Sequence, residues 1–440
     1  MFSKKYNNFN LSHFKNDFPA ALVVWLVALP LCLGIAQGSK PIPKLLPDGT
    51  YEVIEGLELM TPFSGIIAGI IGGIIVTLFS GSRFGVSGPA AGLITIVISA
   101  IADIGFQAFL LAVFLSGAIQ FLLGLFRLGI VGYFIPKSVI HGMLAGIGIT
   151  LIIKQIPHAL GNDSDFFGDD SFIQNDGQNS FTEILLSFKD ISYNYLHDIN
   201  SSIVIVFLIS MLILLVWELP FVRKNKVLKF FPISLIVVIG GALVNYLFSS
   251  IGVSSLKGIE SSHLVQLPDA LSTNDYSNLL VFPDFTAFAN SDVYVYALLL
   301  ALVASVETLL SVEATDKLDP DKNISPTNKE LKAQGIGNLI SGLIGGLPIT
   351  MVIVRSSANI NSNAKTQMSA IYHGVLLLIS VFVFPNLLEK IPLASLAAIL
   401  IVLGFKLVKI KNILKSFKTD WETGLVVIVT IVSLLLTDLL

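Results

Sequence analysis

The sequence predicts an all-α polytopic membrane protein, and three observations carry this prediction. Of the 440 residues, 54% are hydrophobic and only 13% are charged, a composition that suits lipid rather than water. Apolar runs close to the roughly 20 residues of a membrane-spanning helix recur along the chain. Lys and Arg gather in the segments between these runs, as they do on the cytoplasmic side of membrane proteins.

Thirteen apolar segments are predicted, of which the third and the tenth are short half-helices. Polar stretches at 157–200 and 250–291 and a charged loop at 316–328 interrupt the series. In chain order the predicted segments cover residues 18–35, 60–79, 90–102, 108–126, 131–153, 202–217, 231–248, 293–312, 332–345, 349–360, 368–384, 393–408 and 423–436.

The basic clusters fix a topology for these segments. If both half-helices cross the membrane, every strong Lys/Arg cluster falls on the same side as the N-terminal tail, residues 1–17. That side is then cytoplasmic, and the protein lies in the inner (plasma) membrane. The first seven segments, in a repeat of about 18–249, end outside, so a second repeat of about 292–440 starts with the opposite orientation. A 7+7 inverted repeat is expected, with the fourteenth segment missing because the chain is truncated.

Two matched stretches lead into the half-helices. Ser80-Gly81 is followed by Gly85 and Pro89, and Ser341-Gly342 by Gly346 and Pro348. A helix that begins inside the membrane leaves its first N–H groups without intrahelical partners, and these groups attract anions. Predicted starts at Ala90 and Ile349 would converge from opposite sides on one anion site. Ordinary glycine-mediated helix packing is the alternative reading.

Ionisable residues inside the spans are the other candidates for function. Arg355 lies two turns into the second half-helix, where it either supports an anion or forms a structural ion pair. Glu307 and Ser311 share one face of the eighth span and could bind a coupling cation or carry a proton. The alternative role for Glu307 is a structural partner of Arg355. Gln37 and Asn338 either line the cavity or bond helices together, and His141 is more simply a packing histidine.

Several functional classes find no support in the sequence. The single cysteine, Cys32, excludes an intramolecular disulfide framework, and no zinc-binding, phosphate-loop or nucleophile-elbow spacing occurs. An enzyme is therefore not expected, and no cofactor beyond a coupling Na⁺ or H⁺ is expected. The net charge of −3 gives no reason to expect a nucleic-acid partner.

Specific motifs resemble the SulP/SLC26 family of anion transporters. They run in the family order across nearly the whole chain: Phe18-Pro19-Ala20-Ala21-Leu22, Ala28-Leu29-Pro30-Leu31, Val86-Ser87-Gly88-Pro89-Ala90, Val306-Glu307-Thr308-Leu309-Leu310-Ser311, Gln334-Gly335-Ile336-Gly337-Asn338, Gly346-Leu347-Pro348 and Arg355-Ser356-Ser357-Ala358-Asn359.

The resemblance implies a UraA/SLC26-like fold of fourteen segments, with interleaved core and gate subdomains within residues 18–440 and an elevator or rocking movement between them. It places the anion near seven residues and the coupling ion, including Na⁺ in one branch, at Glu307 and Ser311. The anion residues are Ser87, Ala90, Ala91, Thr350, Met351, Val352 and Arg355. Ile353 stands where that branch has a threonine ligand, and Ala90 replaces a common threonine. A homodimer is implied, and the STAS domain usual in the family does not follow Leu440.

The expected function is secondary active transport of a small inorganic anion, sulfate or bicarbonate, through the lipid bilayer, coupled to H⁺ or Na⁺. The alternative on the same fold is an uncoupled exchanger or channel for chloride and bicarbonate. A carrier of nucleobases would need aromatic groups beside the half-helix starts, and the segments 87–92 and 348–355 contain none.

Overall fold

The computed structural model describes residues 11–41, 43, 53–134, 136–163, 167, 201–219, 232–251, 258–267, 279–410, 413, 417 and 420–437. Most of the predicted polar segment 157–200 and part of 250–291 lie outside the described residues. Within the described ranges, five helices are long and apolar enough to cross a membrane, and six further apolar helices are shorter. The predicted polytopic, mostly helical architecture is therefore confirmed.

Within the described residues, thirteen principal helices follow the order of the thirteen predicted segments, and two three-residue strands interrupt them. The second helix contains a π turn, Gly72–Val76, and the third begins with a 3-10 turn, Ala91–Leu93. The helices are α1 Phe14–Gly38, α2 Phe63–Phe79, α3 Ala91–Ile104, α4 Phe106–Leu125, α5 Lys137–Leu160, α6 Ser201–Trp217, α7 Ile233–Ile251, α8 Ser291–Leu318, α9 Thr327–Leu343, α10 Ile353–Asn361, α11 Met368–Val383, α12 Leu393–Leu407 and α13 Trp421–Thr437; the strands are β1 Ser87–Pro89 and β2 Ile349–Met351.

The predicted bounds of the fifth span were wrong. The prediction placed the span at residues 131–153, but α5 runs from Lys137 through Lys154 and Gln155 to Leu160, and Gly161 ends it in the left-handed conformation. Both polar residues are buried, with relative exposures of 5% and 2%. The glycine C-cap at Gly161, not the polarity of Lys154 and Gln155, therefore marks the end of this helix.

Close glycine contacts hold α4 against α9. A Cβ on Gly335 would lie 2.6 Å from the backbone nitrogen of Phe121, and one on Gly117 would lie 2.4 Å from that of Leu339. The two backbones approach this closely only because neither glycine has a side chain. The strand β2 packs on α9, and the first half-helix, α3, packs on α4.

The helices divide by their packing into two sets. In one set, α4 packs on α8 and α9, and α1 packs on α2, α10 and α11; in the other, α12 packs on α5 and α6, and α13 packs on α5. Smaller contacts, such as those of α1 with α7 and of α5 with α8, join the sets. The two strands lie within the first set.

Candidate functional site

The two strands that precede the half-helices form one antiparallel pair. Ser87 lies opposite Met351, Gly88 opposite Thr350, and Pro89 opposite Ile349. All six residues are buried. The matched stretches of the two halves of the chain therefore meet directly, as the sequence prediction of converging half-helices required.

The start of the second half-helix was predicted at Ile349, and this was wrong. Residues Ile349–Met351 form β2, and the helix begins at Ile353 after Val352 in an extended conformation. The strand pairing explains the difference, because the β1 backbone and a side chain of α9 satisfy the hydrogen bonds of this segment. The first half-helix begins close to the prediction, with Ala90 as its extended N-cap.

Neither half-helix has a side-chain cap at its N-terminus. Ala90 and Val352, the two N-cap residues, have no side chain that could accept a hydrogen bond from the first turn. Uncapped N–H groups and the positive end of the helix dipole together favour an anionic ligand. Since the two strands run antiparallel, the helices leave this point in opposite directions and both direct N-termini towards it.

Arg355 lies in the first turn of α10 and is fully buried, with no exposed surface. Among the described residues, its three guanidinium nitrogens have no hydrogen-bond acceptor. A Cβ on Gly88 would lie 2.0 Å from Nη1 of Arg355, so the guanidinium lies directly against the β1 backbone. The Cys32 thiol of α1 is also beside it. A buried cation without acceptors costs several kcal/mol, and an anion placed here would offset that cost.

Asn338 and Gln120 secure the end of β2. The Asn338 side chain accepts from the N–H of Ile349 at 2.6 Å and donates to its carbonyl at 3.0 Å. The same Nδ2 donates to Oε1 of Gln120 at 2.6 Å. Asn338 therefore makes interhelical hydrogen bonds, one of the two roles left open from the sequence, and sequence reasoning missed Gln120.

The predicted anion-site residues lie together around this strand pair. Ser87 accepts from Nε2 of Gln334 at 2.7 Å, and Oγ1 of Thr350 is buried with no partner among the described residues. Ala90 is buried and Ala91 and Val352 are half-buried, at the two helix starts. Met351 donates its N–H to Oγ1 of Thr308 at 3.4 Å.

The predicted coupling residues lie on α8, which packs against β2 and α10. Glu307 is half-buried, and Ser311 is 6% exposed. Thr308, which the sequence analysis passed over, is the α8 side chain that contacts β2. Hard cations take several oxygen ligands, and Ile353 supplies no side-chain oxygen for one.

His373 of α11 is a further buried group near Arg355. It has no exposed surface, and neither ring nitrogen has a hydrogen-bond partner among the described residues. The positive charge of Arg355 interacts electrostatically with this imidazole. In the sequence, His373 stands in an ordinary apolar span, and nothing in the pattern marked it.

A cavity of about 460 Å³ opens between the two sets of helices at one face of the protein. Lys15 of α1 and Lys406 of α12 lie at its border. It extends along α10 to Ala358, one turn past Arg355. The Lys406 ammonium also pairs with Glu218 at 3.0 Å.

A three-residue clasp, defined as His158, Asp163 and His263, lies near the C-terminal part of α1, at the end away from Lys15. The Asp163 carboxylate binds Nδ1 of both histidines, at 2.5 Å for His263. Phe167 packs its carbonyl against Gly34 of α1, where a Cβ would lie 1.5 Å from that oxygen. Gln37 of α1 borders a small pocket beside Asp163 and is remote from the strand pair. His141 is half-buried on α5.

Burial would raise the pKa of the Asp163 carboxyl, but hydrogen bonds from His158 and His263 and the charges of these histidines outweigh it and hold the pKa below 3.8. The carboxylate is therefore ionised at neutral pH. The negative charge of the Asp163 carboxylate strengthens its hydrogen bonds to both histidines of the clasp.

Solved membrane-protein structures share this arrangement of helices. The transmembrane domain of a cyanobacterium bicarbonate transporter, BicA, superposes with a TM-score of 0.62 at 22% identity, covering 98% of both chains. The structure of SLC26A9 superposes with a TM-score of 0.61 at 17% identity, covering 97% of this chain and 63% of the other. At these identities the likeness establishes the fold: a polytopic membrane protein of the BicA and SLC26A9 type.

The chain belongs to the sulfate permease family, whose profile matches residues 14–430. This confirms the SulP/SLC26 resemblance of the sequence motifs. The "Putative sulfate transporter YvdB" of Bacillus subtilis (strain 168) is 28% identical over all of this chain and 73% of its own length. The "Bicarbonate transporter BicA" of Synechocystis sp. is 26% identical over 86% of this chain and 62% of its own length. These relatives are named as transporters, in agreement with the expectation that the protein is not an enzyme.

Proposed function

We propose that the protein is a secondary active transporter of a small inorganic anion, sulfate or bicarbonate, across the plasma membrane. One observation carries the proposal: the buried Arg355 guanidinium, without an acceptor among the described residues, lies beside two uncapped helix N-termini. A positive charge and free N–H groups in a water-poor site recognise a compact anion. The names of the relatives, which include sulfate and bicarbonate transporters, support this class of substrate.

The route of the anion follows from the two helix sets. The core, which we define as α1–α4 and α8–α11, would carry the strand pair and Arg355; the gate would comprise α5–α7, α12 and α13. The cavity beside Lys15 and Lys406 lies between them and would connect the site to the cytoplasm. In this proposal the clasp would close the outer face. Movement of the core against the gate would then expose the site alternately to each side. This 7+7 organisation would place the N-terminus in the cytoplasm.

Coupling to H⁺ or Na⁺ is assigned to Glu307 and Ser311 within this proposal. Both residues lie on α8, next to the Thr308 contact with β2. A carboxylate there can bind a proton or contribute to a cation site. Neutralising Glu307 would therefore uncouple anion transport from the H⁺ or Na⁺ gradient.

Uncoupled exchange is the second candidate, and one observation favours it. Ile353 begins α10 at the position where the resembling sodium-coupled branch has a threonine ligand, so this position supplies no side-chain oxygen for Na⁺. An exchanger would need Arg355 and the helix starts but not a coupling ion.

Radiotracer uptake into proteoliposomes tests both candidates. Sulfate, bicarbonate and chloride are supplied with imposed Na⁺ or proton gradients, to wild type, Glu307→Gln and the exposed control Glu422→Gln. Coupled transport predicts gradient-driven accumulation that Glu307→Gln abolishes and Glu422→Gln retains. Anion uptake that does not depend on either gradient, together with unchanged anion counterflow in Glu307→Gln, would support the exchanger. Absence of uptake for all three anions would refute the proposed function.

A further inference from the structure

A lysine inside the gate helix α5 has no role in the site described so far. Lys154 is 5% exposed, and its ammonium nitrogen has no hydrogen-bond partner among the described residues. It lies in a helix long and apolar enough to span the membrane, six residues before the end of that helix at Leu160. An ionisable group in such a position indicates a functional site.

Lys154 lies on a face of α5 that differs from the faces packed against α12 and α13. At about 100° per residue, it shares this face with Ile147 and Leu151, which belong to the main buried cluster. Gly148 packs against Gly404 of α12 and Ala145 against Val427 of α13. Gly148 is roughly 120° and Ala145 roughly 180° away from Lys154 around the helix. The ammonium therefore faces neither α12 nor α13.

Neighbouring polar groups continue the same side of the helix. Oγ1 of Thr150, one turn earlier, is also buried without a partner among the described residues. One turn later, His158 joins the clasp with Asp163 and His263. A hydroxyl, an ammonium and an imidazole thus follow one another along α5 up to the clasp.

A buried ammonium without an acceptor is costly, and a negatively charged ligand or a change of neighbours must repay that cost. On this side of α5, Lys154 is the group of the three that carries a fixed positive charge for an anion moving from the Arg355 site towards the clasp. Charge-assisted hydrogen bonds from lysine to small oxyanions are short and strong.

We propose that Lys154 is a second anion-binding residue, located on the gate, which binds the transported inorganic anion on the clasp side of the Arg355 site. The inference rests on the proposed function and adds to it a residue of the outer half of the pathway. Lys154 acts by contact with the anion, and Thr150 lies where its hydroxyl can add a neutral hydrogen bond.

Transport kinetics from each face of the membrane test this assignment. Lys154→Gln and Lys154→Met remove the charge, Lys154→Arg keeps it, and Lys137→Gln alters an exposed lysine of the same helix. Methionine keeps the length of the stem and removes the buried charge, so this variant is expected to fold at least as stably as wild type. The uptake KM for radiolabelled sulfate or bicarbonate is measured in vesicles of each orientation.

The expected result is a KM raised roughly tenfold or more from the clasp side in both neutral variants. The KM from the opposite face should stay within about twofold, and Lys154→Arg and Lys137→Gln should resemble wild type. A purely structural lysine would instead lower the amount of folded protein and affect both faces equally.

Other outcomes overturn the assignment in distinguishable ways. Wild-type KM values in Lys154→Met, equal losses from both faces, or misfolding of both neutral variants would remove Lys154 from the anion pathway while leaving Arg355 in place. Wild-type protein that transports none of the anions would overturn the proposed function and this inference with it.

Discussion

The side-chain amide of Asn338 takes the place of a third strand beside Ile349. It accepts from the Ile349 N–H at 2.6 Å and donates to the Ile349 carbonyl at 3.0 Å. The residue thus satisfies both backbone groups at the outer edge of a strand only three residues long. This contact ties the second half-helix to α9.

Asn338→Ala should destabilise the protein by about 2–4 kcal/mol, because it leaves two buried backbone groups without partners. Asn386→Ala, at an exposed position, is the matched control and should be nearly neutral. Thermal unfolding in detergent measures both. Equal melting temperatures for wild type and Asn338→Ala would show that β2 does not depend on this amide.

Gly88→Ala should weaken anion transport more than it weakens folding. The added methyl group would lie 2.0 Å from Nη1 of Arg355, so the end of a flexible side chain must move. The guanidinium would shift away from the strand pair, and we expect the KM for the anion to rise about tenfold. Uptake kinetics and the yield of folded protein are measured together.

Gly240→Ala is the control for that substitution. Gly240 lies in α7. Among the described residues, its added Cβ would meet only the terminal methyl of Ile213, in α6, at 3.2 Å. Alanine also favours a helix over glycine by up to about 1 kcal/mol. A Gly88→Ala protein with the wild-type KM would contradict the placement of Arg355 against β1.

Gly335→Ala should disrupt the packing of α9 on α4. Its Cβ would lie 2.6 Å from the backbone nitrogen of Phe121 and 2.7 Å from the carbonyl of Gly117. Backbone atoms cannot move aside as a side chain can, so a loss of roughly 1–3 kcal/mol or more is expected. If Gly335→Ala has the same folded yield and melting temperature as Gly240→Ala, the close contact between α9 and α4 is not essential for folding.

Asp163→Asn should destabilise the clasp at neutral pH but not in strong acid. The pKa of Asp163 is lowered in the folded protein by His158 and His263. Its contribution is therefore fully present above its unfolded pKa of about 3.9 and is lost as the pH falls through the lower folded pKa. We expect a difference of about 1–3 kcal/mol from wild type at pH 7.

The measurement is the melting temperature of wild type and Asp163→Asn from pH 7 down to pH 3. The gap between the two proteins should narrow as the pH falls below about 4. The exposed Asp292→Asn variant is the control and should follow wild type at every pH. A gap that stays constant across this range would mean that the ionised carboxylate does not hold the clasp.

Much of the fold could be predicted because hydrophobicity and basic residues report directly on the membrane. The matched Ser-Gly and Pro residues located both half-helices, and Arg355 stood out as a charge within an apolar segment. The pairing of β1 with β2 was beyond reach, since three-residue strands have no periodicity that a sequence could display. For that reason, the start of α10 was misplaced by four residues.

Residues whose role depends on tertiary contact escaped the sequence reasoning. Gln120, Thr308 and His373 are ordinary polar residues in apolar helices, and only the packing of neighbouring helices brings them close to β2 or Arg355. Lys154 lies one residue beyond the predicted end of the fifth span and received no role in the sequence analysis. Burial on a particular helix face, which sequence polarity does not reveal, decides the role of each.

Anion binding by wild type and Arg355→Gln tests the central claim most directly. Purified protein is titrated with sulfate and with bicarbonate, and binding is followed by calorimetry and by the rise in melting temperature. We expect wild type to be stabilised by one of these anions, and Arg355→Gln to remain folded but to bind it at least about tenfold more weakly. Equal affinity in the two proteins would contradict the assignment of the anion site to Arg355 and the two helix starts.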